Sequence, residues 1–351
     1  MDVLDDLREA KNREWERVLG YILGNQAAWI VDIGLRTGLI RTIADADGTT
    51  SEVLAEALGF DPHLTGIWAR AAYAHGIVDW SEERGYSLGD ALRAIFLDPT
   101  DPQFLGGRLQ FYTALYEDFR AFPSYLATGG RWARSEHDPW LLVALANLSR
   151  PDASMITDHA IASSPRALDA LTGEGSLLDV GSGGGHHLVH YAKTYPSATI
   201  VGLEPDAASR GLAAQAIADA GVHERVTVID GDANDLDGTG TFDVATLSIT
   251  LHETGGPGEW RNVLRRVFGA LRPGGTVIVS ELPYPDSVLD YRADPVYKML
   301  AGVQLHEAIV GCGAITQGTL AHLVRDAGFV GVRVVDQPMK ARHVVMGERP
   351  D

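Results

Sequence analysis

The chain has 351 residues, with 47 Asp and Glu against 29 Lys and Arg, for a net charge of −18. That balance argues against nucleic acid and anionic membrane as partners, while 45% hydrophobic and 22% charged residues are ordinary for a globular protein of about two domains. The single cysteine, Cys312, excludes an intramolecular disulfide and suits a reducing, cytoplasmic setting. No signal pattern opens the chain, and no apolar run is expected to approach the about 18 residues that span a membrane.

In chain order, residues 5–23 predict a helix, because Leu4, Leu7, Trp15, Val18, Leu19 and Ile22 recur at helical spacing. Residues 29–39 continue apolar, a segment that usually packs on something larger, often a partner chain. Thr49-Thr-Ser-Glu52 looks like a capping box for a helix ending at Gly59, and Asp61-Pro62 opens another that stops at Gly76. Residues 77–80 and 86–88, joined by a polar turn, then predict a hairpin. Helix, helix, hairpin is a winged-helix order. The second of these helices carries Arg70 as its one firm positive charge, and the wing carries Glu82 and Glu83. That is too little positive charge for phosphate neutralisation. Residues 104–171 read as helical and aromatic, with Phe111, Tyr112, Tyr116, Phe119, Phe122, Tyr125, Trp132 and Trp140. Most such residues serve packing, and some are expected to line an apolar pocket.

From Ser176 the pattern changes. Leu177, Leu178 and Val180 suit a buried strand, and residues 181–185 then contain four glycines before a helix beginning at His186. Strand, glycine turn and helix open a nucleotide-binding α/β unit. A second strand, 198–203, runs into Glu204, about 20 residues past the turn, where a carboxylate can accept from ribose hydroxyls. Gly181 and Gly183 are followed by His186 where a dinucleotide fingerprint needs a third small residue. No Gly-Lys-Ser/Thr follows, so a P-loop is excluded. Strands at 226–229, 242–249 and 276–281 alternate with helices and imply a doubly wound, mostly parallel sheet. A helix at 318–327 and strands at 330–335 and 343–346 close it.

Five stretches carry a resemblance to class I S-adenosyl-L-methionine (SAM)-dependent methyltransferases: Leu178-Asp179-Val-Gly-Ser-Gly-Gly-Gly, Gly202-Leu-Glu204-Pro-Asp, Val228-Ile-Asp-Gly-Asp232-Ala233, Thr241-Phe-Asp-Val-Ala-Thr-Leu and Leu271-Arg-Pro-Gly-Gly-Thr-Val-Ile-Val-Ser-Glu281. They look like the five motifs of that class, in order. With the N-terminal pattern, the chain resembles the caffeate and acetylserotonin O-methyltransferase group. The resemblance implies a winged-helix-like dimerisation domain over 1–103, a helical connector contributing to the acceptor pocket over 104–171, and a Rossmann-like SAM-binding domain over 172–351. It implies a homodimer acting on a small, aromatic or apolar molecule of natural-product type, with S-adenosyl-L-homocysteine as product. Cofactor contacts are expected from Asp179, Gly181, Gly183, Gly185, Glu204, Asp232, Ala233 and Ser248. His252 stands where the group has its general base, and histidine suits that task because its ordinary pKa lies near working pH.

The sequence also departs from the group. Glu253 and Thr254 follow His252 where the group has Asp and Trp, and a glycine-rich loop comes next. The position of an orienting acid in a late Lys-Glu-Arg-Thr stretch falls on Ala314, so Glu307, after His306, is the substitute candidate beside Glu253. Carbon or nitrogen methylation, or a role that binds SAM without methyl transfer, therefore stays open beside O-methylation. His186 and His187 read as packing or cofactor-carboxylate contacts, and Cys312 as a buried small side chain. No metal is expected, since the histidines lack metal-ligand spacing and there is no cysteine cluster.

Overall fold

A computed structural model describes residues 3–101, 103–129, 139–336 and 342–351. Trp132, one of the connector aromatics, lies outside them. The chain divides into two compact units, Met1–Ala114 and Leu115–Asp351.

The first unit is mostly helical. Helix α1 runs unbroken over Val3–Arg36. Gly20 and Gly24 lie within it at exposed positions, and an isolated helical glycine costs about 1 kcal/mol against alanine, which a helix of this length absorbs. Its stretch Arg8–Arg36 is long and apolar enough to cross a membrane by length and composition. This corrects the expectation of no such run, which arose from reading the two apolar segments apart. The last turns of α1 are docked: Val31 is buried, and the Trp68 indole N–H donates to the Ile30 carbonyl at 3.0 Å. Earlier in the helix, Trp15 (64% exposed), Tyr21, Ile22 and Trp29 face outward. Helices α2 (Leu39–Asp45), α3 (Ser51–Leu58) and α4 (Pro62–Ala74) pack around Ile40, Ile43, Leu54, Trp68 and Ala69. Asp61 caps α4 through its side-chain oxygen, as its sequence position implies, whereas α3 is capped by Thr50, one residue after the Thr49 that a Thr49–Glu52 capping box requires. The hairpin is short, β1 (Asp79–Ser81) against β2 (Gly85–Ser87), and α5 (Asp90–Leu97) and α6 (Gly106–Ala114) complete the unit.

The second unit begins with α7 (Tyr116–Thr128) and α8 (Pro139–Met155), then a π-helical turn (Ile156–Ala160) and α9 (Pro165–Thr172). The Rossmann-like sheet follows in order: β3 (Ser176–Val180), α10 (His186–Thr194), β4 (Thr199–Glu204), α11 (Ala207–Asp219), β5 (Val226–Asp230), β6 (Phe242–Ser248), α12 (Pro257–Ala270), β7 (Leu271–Glu281), α13 (Pro295–Val310), α14 (Gln317–Asp326), β8 (Val330–Val334) and β9 (His343–Glu348). Spatial order is β5-β4-β3-β6-β7-β9-β8. β9 runs antiparallel to both neighbours, and the remaining pairings are parallel.

Side-chain alternation along the strands feeds two cores. Leu178, Val180, Leu247 and Val279 pack on Trp260, Leu264 and Val267 of α12 and Leu320 and Val324 of α14. Leu177, Ile200, Val244 and Ile278 pack on the other face against Leu171, Leu188 and Tyr191. With both faces covered, the strands read as continuous apolar runs. From β3 the chain winds outward to β4 and β5, then returns to add β6 on the other side. The carboxyl ends of β3 and β6 therefore flank the switch point where α/β sheets bind ligands.

A buried ion pair ties α8 to the last strand. Arg342 donates through Nε and Nη2 to Asp152 Oδ2 at 3.1 and 2.9 Å, with both side chains enclosed. Asp152→Ala leaves the guanidinium buried beside a lost partner, and about 3 kcal/mol of destabilisation is expected. Asp152→Leu with Arg342→Met should recover most of it. Urea unfolding midpoints at unchanged slope are the check.

Candidate active site

The glycine turn at the end of β3 opens the site. Gly181, Gly183 and Gly185 all have left-handed backbone, φ 72°, 52° and 77°. A Cβ on Gly183 would meet nothing within 4 Å, so this stretch of backbone faces open space and a ligand can approach it. A Cβ on Gly181 would lie 2.5 Å from the Thr250 side chain. The turn is thus packed directly on the segment that carries His252.

Glu204 ends β4 beside the turn. Its Oε2 accepts from the Gly183 N–H at 2.8 Å and its Oε1 from the Asp206 N–H at 2.9 Å. Burial raises its pKa, against which these two backbone donors pull down. A carboxylate offers about four acceptor positions, so Glu204 retains capacity for two hydroxyl donors. Asp179 on β3 is enclosed: Oδ1 accepts from the Thr246 hydroxyl at 2.6 Å, and Oδ2 has no hydrogen-bond partner among the described residues. Burial raises its pKa, with the charge of His187 and the Thr246 bond opposing. The hydroxyls of Ser182 and Ser248 are likewise buried without partners. Buried polar atoms are rarely left so, and orphans beside an open glycine turn fit a polar ligand. At the end of β5, exposed Asp232 caps a short turn by accepting from the Asn234 N–H at 2.6 Å, and Ala233 behind it is buried.

His186 and His187 fasten this turn to α8. Arg150 donates to His186 Nε2 at 3.1 Å, and His187 Nε2 donates to the Ser149 carbonyl at 2.8 Å. Burial, then the charges of Arg150 and His187, push His186 down to about 4.

The second half of the site lies past β6. The chain leaves the strand through Ile249, whose φ of 53° is the one left-handed non-glycine conformation among the described residues. Such a conformation costs about 1–3 kcal/mol and persists only where the surroundings enforce it. Here it redirects the chain so that Leu251 enters the core and His252 turns in beneath the end of β7. His252 is 1% exposed. Its Nδ1 donates to Glu281 Oε2 at 2.7 Å, and its backbone N–H donates to Glu281 Oε1 at 3.2 Å. An ionised carboxylate only accepts, so Nδ1 carries a proton, and Nε2 is left facing Glu307. Glu307 of α13 lies opposite, its Oε2 3.5 Å from Nε2. Burial would lower the imidazole pKa, but Glu281 and then Glu307 outweigh it and hold it well above the ordinary value. Burial would raise Glu307, yet its bond to His252 and the charge behind it, with Cys312 and His306 adding, hold it down at about 2. The imidazolium is therefore favoured in the resting site, and the neutral ring is populated towards higher pH.

α13 is fixed by the residue before Glu307. His306 and Asp118 of α7 are joined at 2.8 Å in a buried pair. Adjacent helical residues point about 100° apart, so one turns to α7 and the next to His252. Glu253 follows His252 in the turn, and its charge acts on Glu204, raising its pKa. Glu281 was not a candidate from sequence. It is simply the last residue of a buried strand there, and only its end-of-strand position hinted at the site.

Comparison with known proteins completes this picture. Residues 177–275 match a family described as a methyltransferase domain. The chain is 27% identical over 320 residues to 3-hydroxy-5-methyl-1-naphthoate 3-O-methyltransferase of Streptomyces sahachiroi, covering 86% of this chain and 85% of that enzyme. The chain is a SAM-dependent methyltransferase. A shorter match, 33% identical over 116 residues, covers 33% of the methyltransferase and 43% of dTDP-4-amino-2,3,4,6-tetradeoxy-D-glucose N,N-dimethyltransferase of Saccharopolyspora spinosa. In fold it is similar to human N-acetylserotonin methyltransferase solved with SAM, TM-score 0.74 at 15% identity over 96% of this chain and 98% of that one.

Two outcomes are expected. If Glu204 holds the ribose, Glu204→Ala loses hydrogen bonds to a charged acceptor, worth about 1.5–3 kcal/mol each. S-adenosylhomocysteine should then bind the methyltransferase at least about tenfold more weakly by titration calorimetry; unchanged affinity would remove Glu204 from the site. The second concerns His186, whose folded pKa lies below the ordinary 6.5. As pH falls from 6.5 towards 4 the unfolded chain takes up a proton that the folded one refuses, so stability falls in that window. His186→Gln should flatten this part of the stability–pH curve measured by urea unfolding.

Proposed function

We propose that the methyltransferase acts on a hydroxyl oxygen of a small, aromatic or apolar molecule of natural-product type, with His252 as general base. The observation that carries this is the His252–Glu281 bond. It holds Nδ1 protonated and leaves Nε2, which faces Glu307, as the nitrogen that can take up a proton at this edge of the sheet. The naphthoate 3-O-methyltransferase relative, similar along most of the chain, supports a fused aromatic hydroxyl acceptor. The match to the sugar N,N-dimethyltransferase spans about a third of the chain and does not favour an amine.

SAM, when bound, supplies an electrophilic methyl group on a sulfonium. In this reading Glu204 holds the ribose, the backbone at Gly181, Gly183 and Gly185 receives the methionine portion, and Asp179 and Ser248 supply polar partners beneath it. Asp232 and Ala233 border the adenine. In its neutral form, populated towards higher pH, His252 takes the proton of the acceptor hydroxyl on Nε2. Glu281 keeps Nδ1 protonated and aligned, and Glu307 stabilises the imidazolium that forms. Glu253, close enough to act on Glu204, belongs to the wall between base and cofactor. Helix α7 bears Tyr116, Phe119, Phe122 and Tyr125 and lies against α13, which supports an aromatic lining for the acceptor.

The outward apolar residues of α1, with Trp15, Tyr21, Ile22 and Trp29 exposed, support a homodimer through a winged-helix-like N-terminal domain. Covering by a second chain accounts for that helix better than a bilayer does, because its stretch holds the Asp32–Arg36 ion pair and a docked end. The acidic charge and the relatives support a cytoplasmic enzyme of secondary metabolism without a nucleic-acid or membrane partner.

The enzyme should be given deuteriomethyl-labelled SAM and a panel of phenols, amines and activated-carbon acceptors. A product heavier by one labelled methyl on oxygen is expected, and labelling only on nitrogen or carbon overturns the acceptor assignment. His252→Ala should lower kcat by about 10²–10⁴ with little change in S-adenosylhomocysteine affinity. Light scattering at micromolar protein should give twice the chain mass.

A further inference from the structure

We propose that His252, Glu307 and Cys312 form a binding site for a thiophilic divalent cation, Zn(II) foremost, and that its occupancy blocks methyl transfer. One ligand atom from each, an imidazole nitrogen, a carboxylate oxygen and the thiol sulfur, lie within 4.8 Å of one another. Two are already at ligand spacing. His252 Nε2 and Glu307 Oε2 are 3.5 Å apart, and two ligands at about 2.0 Å from a tetrahedral zinc are about 3.3 Å apart. The sulfur lies within 4.8 Å of both, and tetrahedral ligands at about 2.0 and 2.3 Å are about 3.5 Å apart, so it closes by at most about 1.3 Å.

The turn after α13 builds the third ligand into place. Gly311 takes left-handed φ, 88°, and the Cys312 N–H returns to the Glu307 carbonyl at 2.8 Å, which folds Cys312 back alongside the last helical turn. The next N–H, of Gly313, donates to the His252 carbonyl at 3.1 Å. Gly313 has no room for a side chain, since a Cβ would lie 2.4 Å from the Trp260 ring. The turn therefore lies flush against the His252 segment.

The donor set selects the ion. Thiolate with imidazole favours Zn(II) and its thiophilic neighbours, while Mg(II) and Ca(II) prefer oxygen alone. Glu281 on Nδ1 completes a carboxylate–histidine–metal arrangement, the usual support of a ligating imidazole. Three protein ligands leave one position open to water. Binding displaces the thiol proton and the Nε2 proton of the imidazolium, and both leave to solvent. The ion also occupies the Nε2 lone pair, and that is why transfer stops. This last consequence rests on the proposed role of His252; the binding does not.

The test is a Co(II) titration of full-length, tag-free, chelator-stripped protein under anaerobic conditions. One equivalent should bind with a thiolate-to-cobalt charge-transfer band in the near ultraviolet, and Zn(II) should displace it. Cys312→Ala should abolish the band, with Cys312→Ser as the second variant should the first not fold; circular dichroism and thermal unfolding check both. Glu281→Gln, which keeps all three ligands, should weaken Co(II) by about 10–100-fold. No stoichiometric binding, or a band that survives in Cys312→Ala, overturns the site and leaves the methyl-transfer reading intact. Zn(II) should inhibit turnover reversibly on chelator addition, and Cys312→Ser should need at least about tenfold more Zn(II). A site filled by the cobalt spectrum with turnover undiminished overturns the inhibitory role and the assignment of His252 as base.

Discussion

A buried imidazole held between two carboxylates is the constraint around which the second unit is arranged. His252 lies almost wholly out of water, with Glu281 at one ring nitrogen and Glu307 facing the other. Burying any one of these groups charged would cost several kcal/mol, so each depends on the others being present. Their positions must be held tightly for that compensation to work. The backbone N–H of His252 bonds the same carboxylate as its ring, which fixes the residue as well as its tautomer.

Much of the surrounding structure can be read as meeting that requirement. Strand β7 ends on Glu281 at the core of the sheet, with β6 on one side and β9 on the other. The left-handed Ile249 stores strain that the flanking strand and core repay through packing. α13 is locked by the His306–Asp118 pair, which leaves Glu307 little freedom to turn away. The Gly181–Thr250 contact couples this apparatus to the glycine turn, so the two halves of the site share one mechanical frame.

The electrostatics have two faces. A histidine whose basicity is raised by neighbouring carboxylates is a strong acceptor of protons, which suits a base that must end its task charged. The same neighbours, with a thiol folded back beside them, also resemble a metal-binding set. Both properties follow from one cause, the concentration of negative charge and lone pairs around Nε2.

The sequence by itself determined the architecture of the second unit and half of the candidate site. Glycine turn, strand-end Glu204 and the alternation of apolar runs are local signals, because backbone φ, strand period and strand–turn–helix order are set within a few residues. The cap at Asp61 was legible for the same reason, and that of α3 to within one residue. The unbroken α1 was not, since local glycines and polar residues suggest a break that a long helix tolerates. His252 was visible as a residue after the fourth strand and Glu307 as a candidate acid beside it, but Glu281 and Cys312 were not. Glu281 lies 29 positions later, Glu307 and Cys312 further still, and nothing near any of them records the others. Only the packing of α13 and the end of β7 around the His252 turn decides which carboxylates meet the ring. That is a matter of three-dimensional register between distant elements, and it appears only when the sheet and its helices are assembled.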